Sequence, residues 1–163
     1  MMIKGEVFLK LLSLHFSNWM DFLLIFIKII KLDQKKNVLR GLHYQLSEPQ
    51  GKLVQVVFGS ILDVALDIRV GSPTFGKYHS IILSSKNKKL FYIPEGFAHG
   101  YLVLSEFSIV QYKCTNVYNP KDEYGIKWND PDLNINWGNE SPLLSEKDNC
   151  LPLLKNQKYL PNL

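Results

Sequence analysis

An all-β fold, a sandwich or a barrel, is what this sequence predicts. Short apolar, β-branched runs recur from residue 38 onward, each closed by a Gly, Pro, Ser or Asn signal. One of them, Ile61 to Arg69, alternates: Asp63, Ala65, Asp67 and Arg69 fall on one face, Leu62, Val64, Leu66 and Ile68 on the other. The chain has 163 residues, 46% of them hydrophobic and 21% charged. It is therefore long enough to bury one core as a single domain without disulfide or metal staples.

The first 36 residues are the hardest to read. Leu11, Leu12, Leu14 and the run from Phe22 to Ile30 are apolar with no clean period, which fits either a helix or an extended arm. Asp21 and Lys28 interrupt the apolar stretch, short of the roughly 18 residues that span a bilayer. Glu6 and the bulky residues after Ile30 argue against a signal peptide. Lys35-Lys36-Asn37 reads as a turn.

Leu53 to Phe58 and Ile61 to Arg69 read as a hairpin across Gly59-Ser60. Gly71 to Thr74 is a loop, Tyr78 to Leu83 a strand, and Leu90 to Ile93 another after a polar turn. Pro94-Glu95-Gly96 turns the chain into Phe97-Ala98-His99. Tyr101 to Leu104 and Ile109 to Thr115 read as a further pair joined by Ser105-Glu106-Phe107. After Pro120 the chain is loop-rich, with Trp128 and Trp137 as anchors and a short helix starting at Ser145-Glu146-Lys147-Asp148.

Composition narrows the function. The net charge of +4 is carried by scattered basic residues, which disfavours a nucleic-acid surface. Cys114 and Cys150 lack metal or redox spacing and read as free thiols of a reducing cytoplasm. No Gly-x-Ser-x-Gly elbow and no phosphate-cradling Gly loop is present. Only four histidines occur, His15, His43, His79 and His99, and His43 is followed by Tyr44 and Gln45, so the His-x-His pair of a double-stranded β-helix metal site is missing.

What remains is a metal-free acid/base site. Arg40-Gly41-Leu42-His43-Tyr44-Gln45 and Gln50-Gly51-Lys52-Leu53 put an imidazole near an ammonium, a pairing suited to removing a proton next to a carbonyl. His99 and Tyr112 follow on strand-like sequence. Each has a plainer reading: a hydrogen-bonded strand histidine, a solvated lysine, a core tyrosine. Asp63 and Asp67 line a barrel interior or face water, and Arg40 and Arg69 bind phosphate or pair with acids.

The segments Arg40 to Gln45, Gln50 to Val54, Gly71 to Gly76, Ile93 to Gly100, Tyr112 to Thr115 and Gly125 to Leu133 together resemble the dTDP-4-dehydrorhamnose 3,5-epimerase family. The resemblance runs in order from about Asn37 to Asp148. It implies a cupin-like jelly roll (double-stranded β-helix), usually a homodimer in the cytoplasm, with no cofactor and no metal. Its substrate would be a dTDP-linked 4-keto-6-deoxysugar, inverted at C3 and C5 or, in a relative, at one centre.

By position the resemblance makes His43 the base and Asp148 the carboxylate that orients it. Lys52 becomes the ammonium at the keto oxygen and Tyr112 the proton donor across the ring. Arg40, His99, Glu123 and Lys147 become ligand-binding residues, with Arg40 and Lys147 meeting the diphosphate. The N-terminal region departs from the family pattern. An Asp-x-Arg-Gly-Phe-Phe-like stretch and a Gln-Asp-Asn-like stretch are expected there, and the chain reads Ser17-Asn18-Trp19-Met20-Asp21-Phe22 and Lys28-Ile29-Ile30. A shifted reading frame and a divergent arm both account for this. The departure also leaves open a non-catalytic, decayed nucleotide-sugar-binding protein.

Overall fold

The computed structural model describes residues 28–163. Nine strands follow in order: β1 (Lys28–Lys35), β2 (Leu39–Gln45), β3 (Lys52–Phe58), β4 (Ser60–Asp67), β5 (Tyr78–Ser84), β6 (Phe91–Ile93), β7 (Phe97–Val103), β8 (Phe107–Cys114) and β9 (Glu123–Gly125). They form a four-stranded sheet, β1-β8-β3-β6, and a five-stranded sheet, β5-β4-β7-β2-β9, antiparallel throughout. The all-β expectation holds. Of the two readings of the N-terminal region, the part from Lys28 is extended: β1 pairs with β8 along its whole length, Lys28 against Cys114 to Lys35 against Phe107. The apolar run Phe22 to Ile27 and the Ser17 to Phe22 stretch lie outside the described residues. Among the described residues, no helix is long and apolar enough to cross a membrane.

Two sequence expectations are corrected. Leu53 to Phe58 and Ile61 to Arg69 do not form a hairpin, and Tyr101 to Leu104 does not pair with Ile109 to Thr115. In both cases the two strands belong to different sheets: β3 pairs with β6 and β8, while β4 pairs with β5 and β7. The reason is a corner. Gly59 has φ +80°, and a Cβ there would lie 2.2 Å from the Phe107 carbonyl oxygen. Only glycine tolerates that backbone and that approach. The Ser60 N–H donates to the Ser105 and Ser108 hydroxyls at 2.9 and 3.1 Å. The two crossings between sheets therefore lock against each other side by side.

Strand β4 is buried on both faces, which explains why its polar face is not a solvent face. Ile61 and Ala65 join Val54, Val56, Val103 and Val110 in the core between the sheets. Val64, Leu66 and Ile68 join a second core on the outer face of the five-stranded sheet, closed by Ile126, Leu133, Trp137 and Leu154 of the C-terminal segment. Asp130 holds that segment in place by accepting from the Leu154 N–H at 2.7 Å. A short helix, α1 (Glu146–Asn149), begins where Ser145 caps it by accepting from the Asp148 N–H at 3.1 Å.

Candidate active site

The site is built on an irregularity of β2. Arg40 lies opposite Tyr101 and His43 opposite His99, although 40 and 43 are three residues apart and 101 and 99 only two. The extra residue is a β-bulge, and it turns both Arg40 and His43 toward the space between the sheets. Gly41, at φ +107°, makes it: a Cβ there would be 2.5 Å from the His99 carbonyl oxygen. Leu39 and Leu42 are left on the other face, fully buried in the outer core.

Arg40, His43, Lys52, His99, Tyr112 and Glu123 line one cavity of about 260 Å³ between the two sheets. His43, Arg40 and His99 come from the five-stranded sheet, Lys52 and Tyr112 from the four-stranded one. The Nε2 of His43 lies 2.6 Å from the Asp148 Oδ1, and its Nδ1 lies 3.6 Å from the Glu123 Oε1. Asp148 is 1% exposed. It accepts from the Gly41 N–H at 3.3 Å and from the Ser145 hydroxyl at 2.6 Å, and an Arg40 guanidinium nitrogen stands 3.8 Å away. Burial alone would raise its pKa, but His43 and Ser145 outweigh burial and hold the carboxyl below its ordinary value.

Glu123 behaves likewise. Burial opposes its charge, and Lys147 and the Tyr118 hydroxyl, which donates at 2.5 Å, bring its pKa down. Lys147, half exposed, binds Glu123 at the rim. Burial lowers the pKa of Lys52, against the pull of Cys114, Glu123 and Asp63. The Tyr112 phenol is pushed up to about 12, by burial first and then by Cys114 and Glu123, so it carries its proton throughout the physiological range.

His99 is 6% exposed, with its Nε2 2.6 Å from the Oδ1 of the fully buried Asp63. Burial lowers its pKa despite Asp63. Its ring meets Tyr112 edge-on at 6.3 Å between centroids.

All eight sequence-predicted site residues are therefore brought together: six line the cavity, Asp148 backs His43, and Lys147 sits on Glu123. Arg69 takes the pairing alternative, with its Nε and one terminal nitrogen on Asp67 at 2.9 and 2.7 Å. Tyr118 and the β1 wall escaped the sequence reading, which offered a barrel interior for Asp63 as one alternative but gave it no partner. Asp63 points into the barrel interior and holds His99, as the alternation of β4 allowed. Tyr118 sits in a loop with no pattern to mark it. The inner face of β1 supplies Ile30, Leu32 and Gln34 to the cavity wall. Among the described residues no group of three His, Cys, Asp or Glu could hold a metal ion.

An imidazole backed by a carboxylate, an ammonium and a phenol, arranged on two sheets around one cavity, can take a proton from one face of a ligand and return one to the other. The fold and this site define a cupin-like jelly roll with an acid/base cavity between its sheets. The dTDP-4-dehydrorhamnose 3,5-epimerase family model matches residues 20–156, and the chain belongs to that family. The match begins ahead of Asn37, where the motif resemblance starts, and so includes the atypical stretch around β1.

The chain is 51% identical over 129 residues to the dTDP-4-dehydrorhamnose 3,5-epimerase of Methanothermobacter thermautotrophicus, covering 77% of this chain and 70% of that protein. Against several other curated relatives of the same name the matched part spans less than two thirds of their length, 63% in Pseudomonas aeruginosa. Among solved structures, it resembles the dTDP-6-deoxy-D-glucose-3,5-epimerase of Legionella pneumophila Philadelphia 1 in complex with dTDP-4-keto-L-rhamnose. The TM-score is 0.85 at 42% identity, over 100% of this chain and 84% of that one. It also resembles a 3'-monoepimerase of Streptomyces bikiniensis in complex with dTDP-quinovose, with TM-score 0.80, 31% identity, and 84% and 72% covered.

Proposed function

We propose that this protein is a cofactor-independent isomerase that inverts C3 and C5 of a dTDP-linked 4-keto-6-deoxyhexose. The observation that carries the reading is His43, backed by Asp148 on one sheet, sharing a cavity with Tyr112 and Lys52 of the other. His43 removes the proton alpha to the C4 ketone. Asp148 orients the imidazole and offsets the charge it gains. Lys52 stabilises the enolate oxygen, an ammonium in a partly desolvated place where its charge acts strongly. Tyr112 returns a proton on the opposite face. Its raised pKa keeps it protonated until the enolate forms. Arg40 and Lys147 meet the diphosphate, while His99 and Glu123 contact the sugar. The ketone itself acidifies both neighbouring C–H bonds, so the steps need no metal or redox group. The chain works as one domain, a homodimer of the cytoplasm, with neither nucleic acid nor membrane as partner.

The likeness to a 3'-monoepimerase favours one alternative, inversion at a single centre. Incubation with dTDP-4-keto-6-deoxyglucose in deuterium oxide, followed by NMR, separates the readings. Label at C3 and C5 is the expected outcome. Label at one carbon identifies a single-centre epimerase. Bound dTDP with no label identifies a binding protein and ends the catalytic reading.

A further inference from the structure

Tyr101 of β7 also lines the cavity, and the steps above give it no task. In the sheet register it lies directly opposite Arg40 on β2 and Asp63 on β4. Directly opposed residues share a face of a sheet, so the three form one row on the inner face. Arg40 stands beside Asp148, and the Asp63 Oδ1 is held by His99. The Tyr101 hydroxyl is buried without a hydrogen-bond partner among the described residues. The Asp63 Oδ2 is unpartnered as well, but Asp63 does not line the cavity. The side chains of Arg40 and Lys147 are 40% and 51% exposed and Tyr101 is 3% exposed, so Tyr101 lies deep where those two lie at the mouth. Burial raises the pKa of its phenol, which therefore keeps its proton and can both donate and accept. A buried hydroxyl without a partner costs stability, and its removal should cost none.

We infer that Tyr101 pairs with the C2–C3 hydroxyl edge of the hexose and so fixes which way the ring faces between His43 and Tyr112. The inference rests on the epimerase reading above. Between C1, which carries the diphosphate, and the C4 ketone, the ring has two unlike edges. C2 and C3 each bear a hydroxyl. The other edge holds the ring oxygen, which only accepts, and C5 with its methyl. With the diphosphate beside Arg40 at the mouth, the next residue in the row, Tyr101, faces the ring itself. Only the hydroxyl edge satisfies the phenol as donor and acceptor together; the other edge sets a methyl against it. Turning the ring about its C1–C4 axis swaps its edges and its faces at once. The same contact therefore decides which face of each reacting carbon meets the imidazole.

The test uses the full chain and unreactive ligands: dTDP, dTDP-6-deoxyglucose, and the latter's 2-deoxy and 3-deoxy analogues, dTDP-2,6-dideoxyglucose and dTDP-3,6-dideoxyglucose. Affinities are measured by calorimetry. The wild type is expected to bind dTDP-6-deoxyglucose about tenfold more tightly than at least one dideoxy analogue, the worth of one hydrogen bond. Tyr101→Phe removes that preference. It leaves dTDP affinity unchanged and does not lower the urea unfolding midpoint, because the hydroxyl it removes has no partner in the protein. Equal binding of the three sugar probes by the wild type, failure of all three to bind, or a preference that survives Tyr101→Phe overturns the inference. So does a variant that loses dTDP affinity or folding stability, since the hydroxyl would then be structural. Deuterium wash-in from dTDP-4-keto-6-deoxyglucose is read separately. A hydroxyl preference without wash-in sinks the epimerase reading and keeps the Tyr101 contact; wash-in without the preference does the reverse.

Discussion

At the scale of single residues, the proposed mechanism separates proton removal from proton return. His43 and Tyr112 stand on different sheets, so their loss should have different signatures. His43→Ala is expected to abolish deuterium exchange at both carbons. Tyr112→Phe is expected to retain some exchange while inversion fails, because the enolate still forms and is reprotonated from the wrong face. Equal loss in both variants would count against the assigned roles. Asp148→Asn should lower kcat by about a hundredfold or more with a smaller change in KM, since the imidazole loses its orienting charge. An unchanged kcat would show that the 2.6 Å contact to His43 is structural only.

At the scale of elements, the bulge in β2 sets the geometry. A regular strand would send Arg40 and His43 to opposite faces, one into the cavity and one into the outer core. Gly41 prevents this, and Gly100 on β7 lies against it: a Cβ on Gly100 would stand 2.7 Å from the Arg40 carbonyl oxygen. The contacts are backbone to backbone, so no rotamer change relieves them. Gly41→Ala should force β2 from β7, lower stability by about 1–3 kcal/mol, and reduce activity more than its stability loss accounts for. Urea denaturation and kcat/KM measured together check this; wild-type values in both would refute the bulge argument. The β1 strand is an edge element whose inner residues reach the same cavity, which places part of the atypical N-terminal sequence on the cavity wall rather than merely around the fold.

At the scale of the whole molecule, buried charge makes stability depend on pH with one sign. Asp148, Glu123 and His99 all have folded-state pKa values below their ordinary ones. Asp67, held by Arg69, Ser72 and Thr74 against the burial that opposes its charge, adds to the same effect. The native state therefore binds fewer protons than the unfolded chain. Its advantage is complete above the unfolded pKa of each group and is lost as pH falls toward the folded one. For His99 the loss begins below about pH 6.5, and for the carboxylates below about pH 4. Unfolding midpoints should be flat from pH 8 to 7 and drop by several degrees toward pH 4. Asp148→Asn should drop less steeply at the acid end, and a midpoint that rises with acid would contradict the assignment.

The sequence by itself determined the fold class, the residues that gather at the cavity and the family, because alternation, turn signals and short motifs are local properties of the chain. The parity of β4 was legible in the same way, although its polar face lines a barrel interior rather than water. Tertiary structure decided which strands pair. Gly59-Ser60 looks like a hairpin turn from its residues, yet it is a corner between sheets, because the Ser105 to Ser108 segment that locks it lies more than forty positions away. It also decided that Asp63 holds His99, that the bulge at Gly41 puts Arg40 and His43 on one face, and that Ile30 stands beside Tyr112. Register between distant strands is set by packing on both faces at once, and no window of sequence contains that information.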